Sequence, residues 1–310
     1  MRALYGVTLS GRERVLYRSP IALTLQDVAR DGRVLLTAGE PRLEVHGLLA
    51  GSDAPRPLST FDWATQPSTS DDGSMVVYGE SGEGSVTYGV YLRRSVSAAP
   101  VRLGDGWSPS LSHDMKWVSA LSRERDALWV LPVGAGEARR LERGPIASYV
   151  GLAEWLPDSK RLVFTAFENG STERHSYVQA INGPPRKLRR VMGRPSPDGT
   201  RCLCRDAGMS GVCHIDSDTF ESIPNADDLT PAGWTADGKA FYAYVRASKT
   251  FDVYRVDTAT GARTRFKAIT PGDQTGLITI GGLGVSPTGN AFVYSVTRTL
   301  SQLYVLRGLR

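Results

Sequence analysis

The stretch GRPSPDGTRCLC, residues 193–204, contains the pattern that decides the fold. Its centre, Pro197-Asp198-Gly199, is a tight-turn signal. Proline presets the first corner, aspartate bonds the local backbone, and glycine adopts the left-handed conformation. The apolar run after the turn is typical of a β-strand. The stretch therefore predicts a hairpin inside a sheet.

The same turn followed by a strand recurs seven times along the chain. Its turn residues are Asp31-Gly32, Asp72-Gly73, Asp114-Met115, Asp158-Ser159, Asp198-Gly199, Asp237-Gly238 and Thr288-Gly289. Successive intervals are 41, 42, 44, 40, 39 and 51 residues. An aromatic-Val strand and a short, often basic, outer strand follow each turn. Four short strands in about forty residues are the pattern of a β-propeller blade.

The repeat predicts an all-β fold, a seven-bladed β-propeller of four-stranded antiparallel blades in a single domain over residues 1–310. The expected blades lie near 25–60, 66–103, 107–142, 151–188, 193–224, 231–267 and 277–310. Residues 1–18 are expected to form a half-blade hairpin. Residues 281–286, 291–297 and 302–306 read as only three strands of the last blade. We expect strand 13–18 to close the ring there, which removes open sheet edges, and strand 4–9 to be displaced.

Composition narrows the class of protein further. The 310 residues are 41% hydrophobic and 22% charged, unlike disordered, collagen-like or membrane chains. No apolar run approaches the length of a membrane span, and the N-terminus lacks the apolar region of a signal peptide. The net charge of +5 is spread along the chain, so no nucleic-acid partner is expected. We expect a monomeric propeller. Its compartment is undetermined: cytoplasmic as written, or extracytoplasmic if a longer protein supplies an upstream anchor.

Cysteine and histidine spacing predicts neither a metal site nor a cofactor. Cys202, Cys204 and Cys213 are expected to be buried and reduced, with one cross-strand disulfide as the alternative. There is no C-x-x-C, and the four histidines are far apart in sequence.

The repeat resembles the TolB-type, WD-like β-propeller repeat of bacteria. LYGVTLSGRERVLYRSP, GESGEGSVTYGVYLRR and AFVYSVTRTLSQLYVLRGLR also resemble the C-terminal propeller region of bacterial eukaryotic-type serine/threonine protein kinases. That resemblance implies a partner or sensor module of a kinase, and a chain derived from a longer protein. The sequence has no V-A-I-K strand, H-R-D or D-F-G, so no kinase domain lies in it.

Apparent catalytic motifs are better explained by the repeat. GWTADGKA, residues 233–240, approaches a phosphate-binding loop, but it has Ala240 where Ser or Thr should bind magnesium, and a strand follows it. The G-x-S-x-G nucleophile elbow is absent. We therefore assign no catalytic residue. A basic cluster is the best candidate for a phosphate or acidic partner, the alternative being a solvated outer strand. Its members are Arg186, Lys187, Arg189, Arg190 and Arg194.

The binding face is expected at the channel mouth formed by second-to-third strand loops and links between blades. Its candidate residues are Trp63, Glu80, Glu83, Trp107, Arg123, Arg125, Arg174, His175 and Arg246. Mixed charges and aromatic residues favour a protein or peptide partner. The predicted function is a non-catalytic interaction or sensing module associated with a bacterial kinase. The alternative is a propeller hydrolase, lactonase-like or glycan-acting, with its active site at the channel mouth.

Overall fold

The computed structural model describes residues 2–82, 87–206, 208–217, 219–247 and 249–308. Within these ranges the secondary structure consists of β-strands, as the sequence predicts. In the same ranges no helix has the length and apolar character that a membrane span requires. The chain divides into two compact units.

The first unit comprises Met1–Arg42, Asp273–Thr279 and Thr297–Arg310. The N-terminal strands of the chain are β1 (Arg2–Val7), β2 (Glu13–Ser19), β3 (Leu23–Val28), β4 (Val34–Leu48) and β5 (Arg56–Pro57). Strands β1 and β2 form a two-stranded antiparallel sheet, which confirms the predicted hairpin. Strand β3 pairs with the beginning of β4 across the Asp31-Gly32 turn. In this unit Arg298 donates to the carbonyls of Thr275 and Asp273, at 2.7 and 2.9 Å.

The second unit comprises Leu43–Gly272 and Ile280–Val296 and contains the blades. Blade A is β6 (Trp63–Thr69), β7 (Val76–Ser81), β8 (Gly89–Arg93) and β9 (Val101–Asp105). Blade B is β10 (Trp107–Leu111), β11 (Trp117–Leu121), β12 (Leu128–Pro132) and β13 (Arg139–Arg140). Blade C is β14 (Ile146–Trp155), β15 (Arg161–Glu168), β16 (Arg174–Ala180) and β17 (Arg186–Lys187).

Two more sheets of consecutive strands follow. Blade D is β18 (Met192–Pro195), β19 (Arg201–Asp206), β20 (Met209–His214) and β21 (Phe220–Ser222). Blade E is β22 (Thr230–Trp234), β23 (Ala240–Ala247), β24 (Thr250–Asp257) and β25 (Arg263–Ile269). The last strands of the chain are β26 (Leu277–Val285) and β27 (Phe292–Leu306). Blades B to E are four separate four-stranded antiparallel sheets.

The last blade, blade F, is completed by an N-terminal segment. Its strand order is β26-β27-β4-β5, in which residues 43–48 of β4 lie beside β27 and β5 pairs with β4. A Cβ on Gly47 would lie 2.6 Å from the Phe292 carbonyl oxygen, which shows how closely these two strands approach. One parallel bridge, Leu43 to Trp63, joins blades F and A into a nine-stranded sheet.

The predicted count of seven blades is therefore wrong, and so is the predicted closing strand. The first repeat forms the β3–β4 hairpin, and only the end of β4 enters a blade. Residues 292–306 are one continuous strand instead of two, so the last repeat lacks two strands. Strands β4 and β5 supply both of them, whereas strand 13–18 pairs with β1. The first and last repeats thus merge into one blade, which covers an otherwise open sheet edge.

The predicted turns are present. In four of them the hydroxyl two residues before the aspartate donates to its carboxylate: Ser70 to Asp72 at 2.6 Å, Ser112 to Asp114 at 2.6 Å, Ser196 to Asp198 at 2.5 Å and Thr235 to Asp237 at 2.6 Å. The residue after each aspartate has positive φ, including the non-glycine residues Met115 (58°) and Ser159 (53°). Met115 and Ser159, which replace glycine in their turns, thus adopt the same left-handed conformation as the turn glycines.

Hydrophobic clusters between neighbouring blades form the core. One cluster, for example, unites Leu128 and Val130 of blade B with Trp155 and Phe164 of blade C. Hydrogen bonds tie successive blades at the inner strands. They are Trp155 Nε1 to Ser110 O (3.0 Å), Trp234 Nε1 to Arg194 O (2.9 Å), Ala236 N to Pro287 O (3.1 Å) and Asn290 Nδ2 to Asp72 O (3.2 Å).

Blade D contains a disulfide bond between Cys204 and Cys213 of adjacent strands, with a Cα–Cα distance of 5.9 Å. Cys202 is a buried free thiol. The expectation of three reduced cysteines is therefore wrong. Antiparallel pairing of β19 with β20 brings two of them within the distance that a disulfide spans.

Candidate functional site

The first strands of the six blades surround a cavity of about 520 Å³. Each contributes residues from its last part, and the turns after them complete the walls. These turns join first to second strands. The cavity therefore reaches the end of the second unit opposite to the second-to-third strand loops that the sequence analysis favoured. The volume and concave shape of this cavity suit a small ligand or a side chain inserted by a partner.

One repeat position, four residues before the turn aspartate, forms the wall of the channel. Its occupants in blades A to F are Ser68, Ser110, Glu154, Arg194, Gly233 and Gly284. The two charged members are neighbours, and Arg194 Nη1 lies 3.8 Å from Glu154 Oε1. Ser110 Oγ lies 3.4 Å from the other oxygen of Glu154. Glu154 and Arg194, the one acidic and the one basic residue at this position, thus form an ion pair between blades C and D.

A second repeat position, immediately before the turn aspartate, forms the rim. Its occupants in blades A to F are Asp71, His113, Pro157, Pro197, Ala236 and Pro287. The two polar members are again neighbours, and His113 Nδ1 lies 2.6 Å from Asp71 Oδ2. The other ring nitrogen, Nε2, lies 3.3 Å from the backbone carbonyl oxygen of Trp155. Both nitrogens of the imidazole are therefore engaged.

The electrostatics of the rim favour a charged imidazole. Burial lowers the pKa of His113, but the hydrogen bond and charge of Asp71, the Trp155 carbonyl and Glu154 outweigh it, and the net pKa is raised. The hydroxyl of Ser70 and the amide of Ser74 lower the pKa of Asp72, which keeps that carboxylate ionised. The lining therefore carries three carboxylates against one guanidinium and one imidazole.

The arrangement is better suited to recognition than to nucleophilic catalysis. In a Ser-His-Asp triad one ring nitrogen faces the carboxylate and the other faces the nucleophile. Here the Trp155 carbonyl occupies the second position. Among the described residues, no group of three or more His, Cys, Asp or Glu side chains could hold a metal ion. What the cavity offers instead is two preformed ion pairs, Asp71–His113 and Glu154–Arg194, in a lining that also contains proline side chains.

Two of the sequence-predicted residues contact each other. The guanidinium of Arg125 lies over the Trp107 ring, 4.8 Å from its centroid, which is a cation–π arrangement. Arg123 lines a different cavity, of about 490 Å³, together with Tyr88 and Trp129. These residues belong to blades A and B.

Glu80 and Trp63 serve the structure of blade A. Glu80 is 1% exposed and accepts hydrogen bonds from the backbone amides of Thr60, at 2.6 Å, and Phe61. Burial raises its pKa, although both amides act in the opposite direction. Trp63 is half-exposed at the start of β6, where its backbone pairs with Leu43.

The remaining residues of the predicted face are not gathered into one site. Arg174 lies over the Phe167 ring at 5.8 Å, and His175 Nε2 lies 3.8 Å from Glu173 Oε2. Glu83 lies outside the described residues, as does the side chain of Arg246.

The basic cluster is divided among several acidic partners. Arg186 pairs with Asp216 at 3.4 Å, Lys187 with Glu168 at 3.0 Å and Arg190 with Asp206 at 2.9 Å. Arg194, alone among the predicted site residues, lines the 520 Å³ cavity. A phosphate site at this cluster stays a prediction.

Asp71 and His113 are not among the sequence-predicted site residues, although the repeat contains a signal for them. The residue before the turn aspartate is Pro or Ala in four of the six blades that surround the cavity. Comparing the repeats position by position would have shown two polar exceptions in consecutive repeats, 42 residues apart.

No protein-family model matches the sequence, and no curated protein matches it. Solved structures do match. A putative TolB from Agrobacterium tumefaciens aligns with a TM-score of 0.57 and 17% identity, over 83% of this chain and 99% of that one. An oligogalacturonate lyase in complex with manganese gives 0.51 and 14%, over 87% and 77%. A nidogen/laminin complex gives 0.53 and 11%, over 74% and 94%.

Structural similarity at a sequence identity of 11–17% is evidence for the fold alone. The TolB neighbours support a β-propeller fold for this chain, in agreement with its four-stranded sheets. The chain folds as a TolB-like β-propeller.

Proposed function

We propose that the chain is a non-catalytic binding module whose partner inserts a basic side chain of a peptide segment into the 520 Å³ cavity. The observation that carries the proposal is the pair of complementary contacts, Asp71–His113 and Glu154–Arg194, at equivalent positions of neighbouring repeats. Together with the ionised Asp72, they leave an excess of negative charge in the lining. A cationic side chain complements that excess.

The walls support a peptide segment as the partner. Pro157, Pro197 and Pro287 are partly exposed and give a rigid rim that loses little entropy on binding, and the buried Trp155 and Trp234 support the walls behind it. The neighbour nidogen was solved with laminin, and that example supports a protein partner for a propeller of this kind.

The test is a selection of displayed peptides on the immobilised chain, followed by fluorescence anisotropy with the selected peptides. We expect enrichment of Lys or Arg and at least about a tenfold loss of affinity in Glu154→Gln and Asp71→Asn, which corresponds to about 1.4 kcal/mol each. The control variants, Arg123→Ala and Arg174→Ala, alter the face that the sequence analysis favoured. Loss of binding in these controls, with none in the cavity variants, would overturn the proposal.

We also propose, from the resemblance in sequence, that the module works with a bacterial serine/threonine kinase. The test is the gene itself. An open reading frame that continues upstream into a catalytic domain with H-R-D and D-F-G motifs would support the association. An isolated frame with no kinase gene beside it would count against it.

A propeller hydrolase is the second candidate, and the Asp71–His113 hydrogen bond is the observation that favours it, because a carboxylate that holds an imidazole charged orients a general acid. The oligogalacturonate lyase shows that an enzyme can use this fold. The test is turnover of chromogenic esters, lactones and glycosides. We expect no turnover above that of His113→Gln; turnover that this variant abolishes would establish the enzyme.

A further inference from the structure

A second cavity, of about 350 Å³, lies between blades D and E. Its walls come from β18, β19 and the start of β20, from the link between the two blades, and from β22 and β23. The cavity is near the small end of the range of ligand pockets, so it suits a small molecule better than a folded partner.

The walls are mainly apolar. Leu203, Ile223, Leu229 and Phe241 line the cavity, and each is at most 4% exposed to solvent. Side chains this well packed hold a fixed shape. An apolar group that enters the cavity removes its surface from water against these walls, which is the main source of affinity for such a ligand.

The polar part of the lining is positively charged. Arg194 and Arg205 both contribute, and no Asp or Glu side chain belongs to the lining among the described residues. Arg205 donates a hydrogen bond to the backbone carbonyl of Asp227, a neutral acceptor that positions the guanidinium without cancelling its charge. The carboxylate of Asp227 accepts the amide of Ser210 at 2.6 Å.

Arg205 is also the more available of the two cations. Arg194 lies between the two cavities, since it lines both, and it pairs with Glu154 on the channel side. Arg205 is exposed on strand β19, at the mouth of the second cavity. An anionic group there can form a charge-assisted hydrogen bond while the rest of the ligand stays in the apolar interior.

We propose that this cavity binds a small amphipathic carboxylate, with its apolar tail among Leu203, Ile223, Leu229 and Phe241 and its carboxylate at Arg205. The pattern of apolar walls with a single charged group at the mouth is the usual composition of a small-ligand site. This cavity shares Arg194 with the cavity of the proposed peptide partner, but Arg205 lines this cavity alone, so variants at Arg205 test the two proposals independently.

The probe is decanoate, measured by isothermal titration calorimetry on the full chain, with decyltrimethylammonium as the matched cation. We expect saturable binding of decanoate, at least tenfold tighter than that of the cation. Equal binding of the two probes, or no binding of decanoate, would overturn the proposal, because the argument rests on the positive charge at the mouth.

Two variants locate the site. Arg205→Ala should weaken decanoate at least fivefold, and Ala226→Leu, which adds volume to the lining, should weaken it as well. Arg265→Ala removes an exposed arginine that is not part of this lining and should change nothing. If Arg205→Ala, with an unchanged unfolding midpoint, binds decanoate like the parent chain, the proposal is wrong.

A peptide with a free C-terminal carboxylate is the other ligand that this chemistry could attract. Acetyl-Leu-Leu should bind more weakly than decanoate. Tighter binding of the dipeptide, with the same dependence on Arg205, would assign the cavity to peptide C-termini and overturn the proposal.

Discussion

The Nδ1 atom of His113 lies 2.6 Å from the Oδ2 atom of Asp71, although the two residues belong to different blades. Both precede the aspartate of their turns, so the ring arrangement brings equivalent repeat positions together. The pKa of His113 therefore depends on the packing of blade A against blade B.

The first prediction concerns the pH dependence of this contact. The folded-state pKa of His113 is raised, so its stabilisation is complete below the ordinary histidine pKa and is lost as pH rises through the folded value. In Asp71→Asn the pKa of His113 should fall, because the opposing burial remains. NMR titration of the four histidines measures it, with His113→Gln to assign the signal. An unchanged midpoint in Asp71→Asn would contradict the geometry.

The second prediction concerns Glu80. Because burial raises its folded-state pKa, the folded protein binds more protons than the unfolded chain between the ordinary and raised values. The free energy of unfolding should therefore decline as pH rises through that window. Glu80→Gln should reduce the decline that sets in above the ordinary glutamate pKa in urea unfolding, whereas the exposed Glu137→Gln should leave it as it is.

Glu80→Ala should behave differently, because it leaves the partly buried amides of Thr60 and Phe61 without their acceptor. We expect a loss of about 1–3 kcal/mol. Equal stability of the Ala and Gln variants would show that these hydrogen bonds contribute nothing.

The third prediction concerns the turn glycines. Gly238 has φ +64°, and no atom lies closer than 3.6 Å to an added Cβ. Gly238→Ala should therefore lower the free energy of unfolding only by the strain of a left-handed alanine, about 1–2 kcal/mol. Gly73→Ala should cost more, because its Cβ would also lie 2.5 Å from that of Ala291. Gly134→Ala, with open space and no positive φ, is the control in thermal unfolding. If Gly238→Ala destabilised the protein more than Gly73→Ala, that result would contradict the close contact between Gly73 and Ala291.

The fourth prediction concerns ring closure. Gly47→Ala would place a Cβ 2.6 Å from the Phe292 carbonyl oxygen, so the pairing of β4 with β27 must shift, at a cost of about 1–3 kcal/mol. Gly183→Ala, whose nearest contact is 3.7 Å, should be neutral by comparison. Urea unfolding compares the two; equal stabilities would mean that residues 43–48 do not complete blade F.

The fifth prediction concerns the cysteines. Without reductant, a thiol reagent should find no reactive thiol in the folded protein, since Cys202 is buried, and one after denaturation. Burial also raises the pKa of the Cys202 thiol, which lowers its reactivity. Reduction of the Cys204–Cys213 bond, which closes a short loop, should cost about 2–3 kcal/mol. Three thiols in unreduced, denatured protein would contradict the disulfide.

The sequence alone determined the features that depend on residues near one another. The turns are local, since Ser196, Asp198 and Gly199 form their contacts within a few positions, and strands follow from apolar runs beside them. Hence the all-β fold, the repeat interval and the TolB-like propeller could be predicted.

The tertiary structure decided what depends on distant residues. Asn290 bonds Asp72 across 218 positions, and β27 takes β4 as its neighbour; no local pattern specifies either choice. The blade count follows from that closure, and the pairs Asp71–His113 and Glu154–Arg194 follow from the packing of neighbouring blades. The physical reason is that a propeller satisfies its open sheet edges and channel charges only when the ring is complete.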